Sequence, residues 1–310
     1  MRFNIKDIFR KAKRSTQAIT QVREMYSIVS NDLKSAKINL GQIQAYQNNQ
    51  RASIAKLSDV EFQVFSQWGD DGIIQYLINK IDLPHKTFVE FGVENYKESN
   101  TRFLLINDKW HGLVLDGSKE SIEYIKRDTV SLMYHLYAKE AFITKENINS
   151  LIDKEFLQKG YDPEIGILSV DLDGNDYWIW KEINVVKPVI VVLEYNAIYG
   201  AEKPWTIPYK GDFVWGGTAY WGSSLKAHCE VSEKKGYYFI GCNSNGNNAY
   251  FIRKDKIGNL KPVSCSEGYS KPAFRLYKNE QGERMSAAEA LEQIRGMEIF
   301  NVETNQLEKI

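Results

Sequence analysis

The sequence predicts an α/β fold: a largely parallel sheet covered by helices on both faces, closing in an antiparallel hairpin and preceded by a long amino-terminal helix. Three observations predict it. Short apolar runs end in acids: Thr87 to Phe91 contains Glu90 and stops at Gly92, Trp110 to Leu115 stops at Asp116, Ile165 to Val170 stops at Asp171, and Pro188 to Leu193 stops at Glu194. Strands buried on both faces read as continuous apolar runs, and ligands bind beyond their carboxyl ends. Helical stripes separate the runs. Finally, Gly236 to Cys242 and Asn248 to Arg253 flank Asn243-Ser-Asn-Gly-Asn247, turn chemistry that joins two strands in a hairpin.

At 310 residues the chain has room for one large α/β domain with additions. The division expected is a helical or coiled-coil segment over 1–56, a catalytic domain over 57–258 and an appendage with a short helix over 259–310. The 40 basic and 40 acidic side chains cancel, so no whole-chain field recruits nucleic acid. Cys229, Cys242 and Cys265 lack metal-site spacing and cannot all pair, which suits reduced thiols in a cytoplasmic protein. No apolar run approaches the roughly 20 residues of a bilayer span, and the amino terminus lacks a signal-peptide stretch.

Ile19, Val22, Tyr26, Val29, Leu33, Ala36, Leu40 and Ile43 follow at alternating steps of three and four, a heptad seam that stops at Gln47. Two readings stay open: a coiled coil joining a homo-oligomer through residues 19–43, and a long helix packed on its own domain, weakened by Gly41. Upstream, Arg2, Lys6, Arg10, Lys11, Lys13 and Arg14 outnumber Asp7, beside apolar Ile5, Ile8 and Phe9. That pattern fits an anionic membrane surface or partner, or a solvated basic end.

The catalytic unit begins near Leu57. A polar turn through Gln67 to Gly72 precedes a helical stripe of Ile73, Ile74, Leu77, Ile78 and Ile81, capped by aspartates and closed by Pro84. The strand ending at Glu90 and Gly92 leads to a helix opening near Ser99, Asn100 and Thr101, whose free amides suit a ligand. A lone glycine there also fits an ordinary strand exit. Asp116, at the end of the second strand, suits a nucleoside ribose, with Gly117 and Ser118 starting the next helix. A third strand is expected at Ser131 to Leu136, followed by an adenine wall at Tyr137 to Phe142 and a helix around Glu146 to Phe156. After Asn196 comes a long aromatic, glycine-rich stretch, Tyr199 to Gly222, which reads as a lid or acceptor-binding loop. The tail carries a capping-box helix, Ser286 with Glu289.

Together, Ser66-Gln67-Trp-Gly-Asp-Asp71, Phe88-Val-Glu90-Phe-Gly92, Asn100-Thr101-Arg-Phe-Leu, Gly112-Leu-Val-Leu-Asp116, Leu168-Ser-Val-Asp171-Leu-Asp173-Gly-Asn-Asp176, Glu194-Tyr-Asn196, Gly222-Ser-Ser-Leu and Asn248-Ala-Tyr-Phe resemble the FkbM-type class I methyltransferases, which use S-adenosylmethionine. The resemblance runs from about Phe65 to Arg253. It implies a Rossmann-like, seven-stranded methyltransferase sheet with an antiparallel last strand. It also implies that Glu90 and Gly92 lie near the methionine and ribose of the cofactor, that Asp116 binds the ribose, and that Gln67 and Asp71 close over it. The first motif here is poorer in glycine than is usual for the family.

Methyl transfer to a hydroxyl needs alignment and removal of a proton. Asp171, Glu194 and Asn196 form an all-oxygen set suited to Mg²⁺ or Mn²⁺, similar to that of catechol-type O-methyltransferases. Without a metal, the base would be Asp173, Asp176 or His228. The acceptor expected is a hydroxyl of a glycan or activated polar small molecule, such as a surface-polysaccharide precursor. Two rivals remain: a glycosyltransferase using Asp171-Leu-Asp173 on a nucleotide sugar, and an inactive methyltransferase fold serving assembly.

Overall fold

A computed structural model describes residues 5–273, 277–278 and 282–310, with side chains from residue 16 onward. The basic amino end, and the membrane reading attached to it, therefore lie outside the described side chains. The chain runs through helix α1 (Ile5–Asn49), α2 (Asp70–Lys80), strand β1 (Thr87–Phe91), α3 (Arg102–Asn107), β2 (His111–Asp116), α4 (Lys119–Arg127), α5 (Thr129–Met133), β3 (Leu136–Glu140), α6 (Ile148–Glu155), β4 (Ile167–Val170), α7 (Asp176–Glu182) and β5 (Ile190–Glu194). It continues through β6 (Trp205–Thr206), α8 (Leu225–Lys234), β7 (Tyr237–Cys242), β8 (Asn248–Arg253), α9 (Cys265–Gly268), β9 (Tyr277–Lys278), β10 (Arg284–Met285), α10 (Ala287–Gln293), β11 (Glu298–Asn301) and β12 (Gln306–Lys309).

Seven strands form one Rossmann-like sheet in the order β3-β2-β1-β4-β5-β8-β7. The first five are parallel, while β8 runs antiparallel to both β5 and β7. The fold expected of a class I methyltransferase, antiparallel last strand included, is the fold observed. The apolar runs explain why. Alternate residues of each strand point to opposite faces. Val89, Phe91, Leu113, Leu115, Leu168, Val170, Val191 and Leu193 enter one core layer, while Phe88, Val114, Ile167, Ile190 and Val192 enter the other. With both faces covered, the carboxyl ends of β1, β2, β4 and β5 are left to carry polar chemistry.

One expectation needs correction. Ser131 to Leu136 is not the third strand. Asp128 accepts a hydrogen bond from Val130 N and caps the short helix α5, which leaves Leu132 and Met133 exposed, and the strand starts where Leu136 comes into register with Gly112. Where α8 packs on α9, Cys229 and Cys265 come together, their Cα atoms 7.0 Å apart, while Cys242 is buried away from them. No helix among the described residues is long and apolar enough to cross a membrane.

Helix α1 docks through its carboxyl half. Gly41 is the notch: a Cβ there would meet Val64 at 2.5 Å and Phe103 at 3.0 Å. The residue that weakens the helix as a sequence is the one that lets it approach the domain. At the other end of the chain, β11 pairs antiparallel with β12 and with β6, Phe300 lying opposite Thr206. The tail is thereby woven into the aromatic stretch after β5.

Candidate functional site

The carboxyl ends of the parallel strands open into a cavity of about 530 Å³, lined by Gln67, Gly92, Glu94, Glu98, Asp116, Gly117, Phe142, Asp171, Leu172, Asp173, Glu194, Phe213, Val214 and Trp215. Six of these are carboxylates, and none is Lys, Arg or His. A slot of about 100 Å³ adjoins it between Phe142, Ile143, Leu172 and Phe213, over Gly117. A cleft of about 510 Å³ lies outside it along Ile207, Tyr209, Lys210, Phe213 and Tyr220. Phe213 borders all three spaces.

The loop after β1 explains why no glycine-rich fingerprint was visible. Gly92, Glu94 and Tyr96 all hold left-handed backbone, with φ of 67°, 46° and 61°. Three alternate positions thus keep the geometry of a glycine-rich turn, although two of them carry side chains. A left-handed residue with a Cβ costs roughly 1–2 kcal/mol. Local bonds offset that cost. Glu94 N donates to Asp116 Oδ2 at 2.7 Å, the buried Tyr96 hydroxyl meets Thr101 Oγ1 at 2.9 Å, and Arg102 Nη1 donates to Tyr96 O at 2.7 Å. Only Gly92 is sterically obligatory, because a Cβ there would fall 1.7 Å from the Asp171 carbonyl oxygen. It seats β1 against the Asp171 turn.

Asp116 and Glu90 are held by backbone amides. Asp116 also accepts Ser118 N at 2.7 Å on Oδ1, while Ser118 Oγ caps α4 through Ser121 N. Glu90 is 4% exposed and accepts Ser99 Oγ at 3.0 Å, Asn100 N at 2.9 Å, Thr101 N at 3.2 Å and Thr101 Oγ1 at 2.5 Å. Burial raises its pKa against those bonds. Glu90 therefore anchors the start of α3. Thr101 is buried with it, while the Asn100 side chain donates to Ser169 Oγ at 3.1 Å.

Asp71 does not line the cavity. Its Oδ2 accepts Val64 N, Phe65 N and Ser66 N at 2.7–2.8 Å and Ser66 Oγ at 2.9 Å, clasping the turn that carries Gln67 into the cavity wall. Burial pushes its pKa up to about 6.

Asp171 and Asp173 border the cavity, Asp173 with a left-handed φ of 53°. Asp176 lies fully buried behind them, accepting Leu172 N at 2.7 Å and Gly174 N at 3.0 Å. Burial, and then the neighbouring charge of Asp171, push its pKa up to about 8. Asp171, Asp176 and Glu194 each offer an oxygen within 4.8 Å of the others, a set of hard donors that fits Mg²⁺ or Mn²⁺. Asn196 is not in that set. Strand β5 ends at Glu194, and Asn196 instead caps the next turn, its Nδ2 donating to Ala219 O and Trp221 O at 3.0 Å.

His228 is buried behind the rim, with Nε2 2.9 Å from Glu194 O, and burial lowers its pKa to about 4. It is a neutral packing residue that buttresses Glu194, out of reach of the cavity.

Sequence reasoning missed Glu94 and Glu98 as lining residues, whereas Phe213, Val214 and Trp215 belong to the stretch expected to form a lid or acceptor-binding loop, and they do line the cavity. Glu94 and Glu98 carry a signal in hindsight: they lie in the segment joining the Gly92 turn to the Asn100 helix start. Of the expected adenine wall, Phe142 lines the cavity, while Tyr137 packs edge-on against Tyr161, ring centroids 5.9 Å apart.

No protein-family profile matches the sequence, and no curated protein matches it. Solved structures do align with it. The N-terminal domain of EvdMO1 with SAH bound is 11% identical, covering 54% of this chain and 72% of that one at a TM-score of 0.35. A SAM-dependent methyltransferase from Aquifex aeolicus is 10% identical, over 55% and 84%, at 0.34. An S-adenosylmethionine-dependent methyltransferase from Clostridium acetobutylicum is 10% identical, over 54% and 83%, at 0.32.

Proposed function

We propose that this chain is an S-adenosylmethionine-dependent methyltransferase acting on a hydroxyl of a neutral or cationic glycan or polar small molecule. The observation that carries the reading is the convergence of Gly92, Asp116 and Asp171 on one cavity, at the carboxyl ends of neighbouring strands.

The cofactor supplies an electrophilic methyl group on a sulfonium. Asp116 accepts a ribose hydroxyl on the lone pairs its two amide bonds leave open. Phe142 and Phe213 flank the adenine in the adjoining slot. Glu94, Glu98 and Asp171 provide the negative field that a sulfonium and an α-ammonium need. That same field disfavours phosphorylated or nucleotide-activated acceptors, which narrows the sequence-based expectation to uncharged or cationic ones. The outer cleft, with Tyr209 and Tyr220, offers aromatic faces to a sugar ring. A hydroxyl of an uncharged glycan, rather than of its nucleotide-activated precursor, remains the acceptor class of choice.

Asp171 holds the proton-accepting position, facing the cavity with Glu194 beside it. A divalent cation on Asp171, Asp176 and Glu194 would displace the Asp176 proton and lower the pKa of an acceptor hydroxyl. His228, buried and neutral, takes no part in proton transfer.

Isothermal titration tests the assignment. Binding of S-adenosylmethionine or S-adenosylhomocysteine alone supports it. Binding of UDP or GDP with Mn²⁺ instead would move the chain to the glycosyltransferases, and binding of neither would leave an assembly role. Asp171→Asn should keep the cofactor bound and abolish turnover, and an active variant removes Asp171 from the chemistry.

A further inference from the structure

Helix α1 has two apolar faces, and its own domain covers one of them. Lys34, Ile38, Gly41, Ala45 and Asn48 lie on the docked side: Ile38 packs into the cores around Phe62 and Leu57, and Asn48 Nδ2 donates to Val60 O at 2.8 Å. With Ile19 at heptad position a and Val22 at d, these five residues occupy only b and f, opposite the seam. The seam itself stays in solvent. Ile19, Val22, Tyr26, Val29, Leu33, Leu40 and Ile43 are 53–76% exposed, and Ala36 is exposed with them. Packing against its own domain therefore does not account for the heptad pattern.

We infer that a second copy of this chain covers the seam, in a parallel, in-register, two-stranded coiled coil over residues 19–43. A stripe repeating every 3.5 residues is matched along its length by another helix of the same period, a and d knobs filling the facing holes. The charges choose the direction. Asp32 sits at g and Lys37 at the following e, both exposed. Parallel in-register pairing brings each Asp32 against Lys37 of the second copy, twice by the two-fold symmetry. Antiparallel pairing sets g against g and e against e. It would place Asp32 opposite Met25, Asn39, Tyr46 or another Asp32, with no cation in reach. The catalytic domain hangs mainly from b and f; at its nearest, Leu33 and Lys37 border a space of about 290 Å³ against Val64, Phe65, Lys97 and Glu98 yet remain exposed.

The test uses the full chain in analytical ultracentrifugation at micromolar concentration, and it does not depend on the methyltransferase reading. The expected mass is that of two chains. Val29→Glu combined with Leu33→Glu should give a monomer with an unchanged thermal transition, because neither side chain is buried within one copy. Asp32→Lys should shift the equilibrium towards monomer, and adding Lys37→Asp should restore the dimer. On mild oxidation Val29→Cys should crosslink two chains, since d positions face each other in register. A monomeric native chain would overturn the inference, and flotation of that monomer with phosphatidylglycerol vesicles would assign the seam to lipid. A dimer that survives Val29→Glu with Leu33→Glu would place the interface elsewhere. A dimer that Val29→Cys fails to crosslink would overturn the parallel register.

Discussion

Asp71→Asn isolates the energetics of the clasp that carries Gln67. In the folded chain the Asp71 carboxyl titrates at about 6, against 3.8 for the ordinary group, because it is wholly buried. The sign follows from proton counting. Between pH 4 and 6 the unfolded chain has released this proton and the folded chain retains it, so stability is full below about 4 and is lost as pH rises through 6. Two units at about 1.4 kcal/mol each amount to about 3 kcal/mol. Asparagine removes that pH-dependent part. It also sets an NH₂ where buried Asp71 Oδ1 has no hydrogen-bond partner, a pH-independent cost of about 1–3 kcal/mol. Urea unfolding followed by tryptophan fluorescence at several pH values from 4 to 7.5 measures both. The native chain should lose about 3 kcal/mol relative to the variant across pH 4–6 and then run parallel to it. Parallel curves throughout, or a native chain that gains on the variant as pH rises, would refute burial as the dominant effect.

Further outcomes follow from the rim. Gly92→Ala should cost more than about 2 kcal/mol of stability and abolish S-adenosylhomocysteine binding by calorimetry, since the added carbon meets the Asp171 carbonyl. Asp116→Ala should weaken that binding by about 1–3 kcal/mol, losing ribose bonds and the two amides that shape the loop; unchanged affinity would refute the ribose assignment. Mg²⁺ should raise the thermal transition of the native chain more at pH 8 than at pH 6, as it competes with the Asp176 proton, and Asp176→Asn should erase the difference.

Much of the sheet was legible because burial on both faces imposes unbroken apolar runs, and the acids that end them mark the carboxyl edge. Glu90, Asp116 and Asp171 were found this way. What each acid does there was not legible. Whether Asp71 meets ligand or backbone depends on where Val64 to Ser66 turn, and whether Asn196 shares a face with Glu194 depends on where β5 stops. The left-handed positions at Glu94 and Tyr96 were hidden for another reason: tertiary bonds sustain a conformation that local preference opposes. The third strand slipped because Ser131 to Met133 has strand-like composition, while the Asp128 cap decides for helix.

The pairing of Thr206 with Phe300 has a consequence for how the molecule comes to be. Residues that wall the outer cleft leave the ribosome long before the strand that pins them, so a nascent chain holding every rim acid still lacks the brace of its acceptor cleft. If the proposed reading holds, synthesis halted before Glu298 should release an intermediate able to take up cofactor while its outer cleft stays unshaped, and competence for transfer waits on β11 and β12.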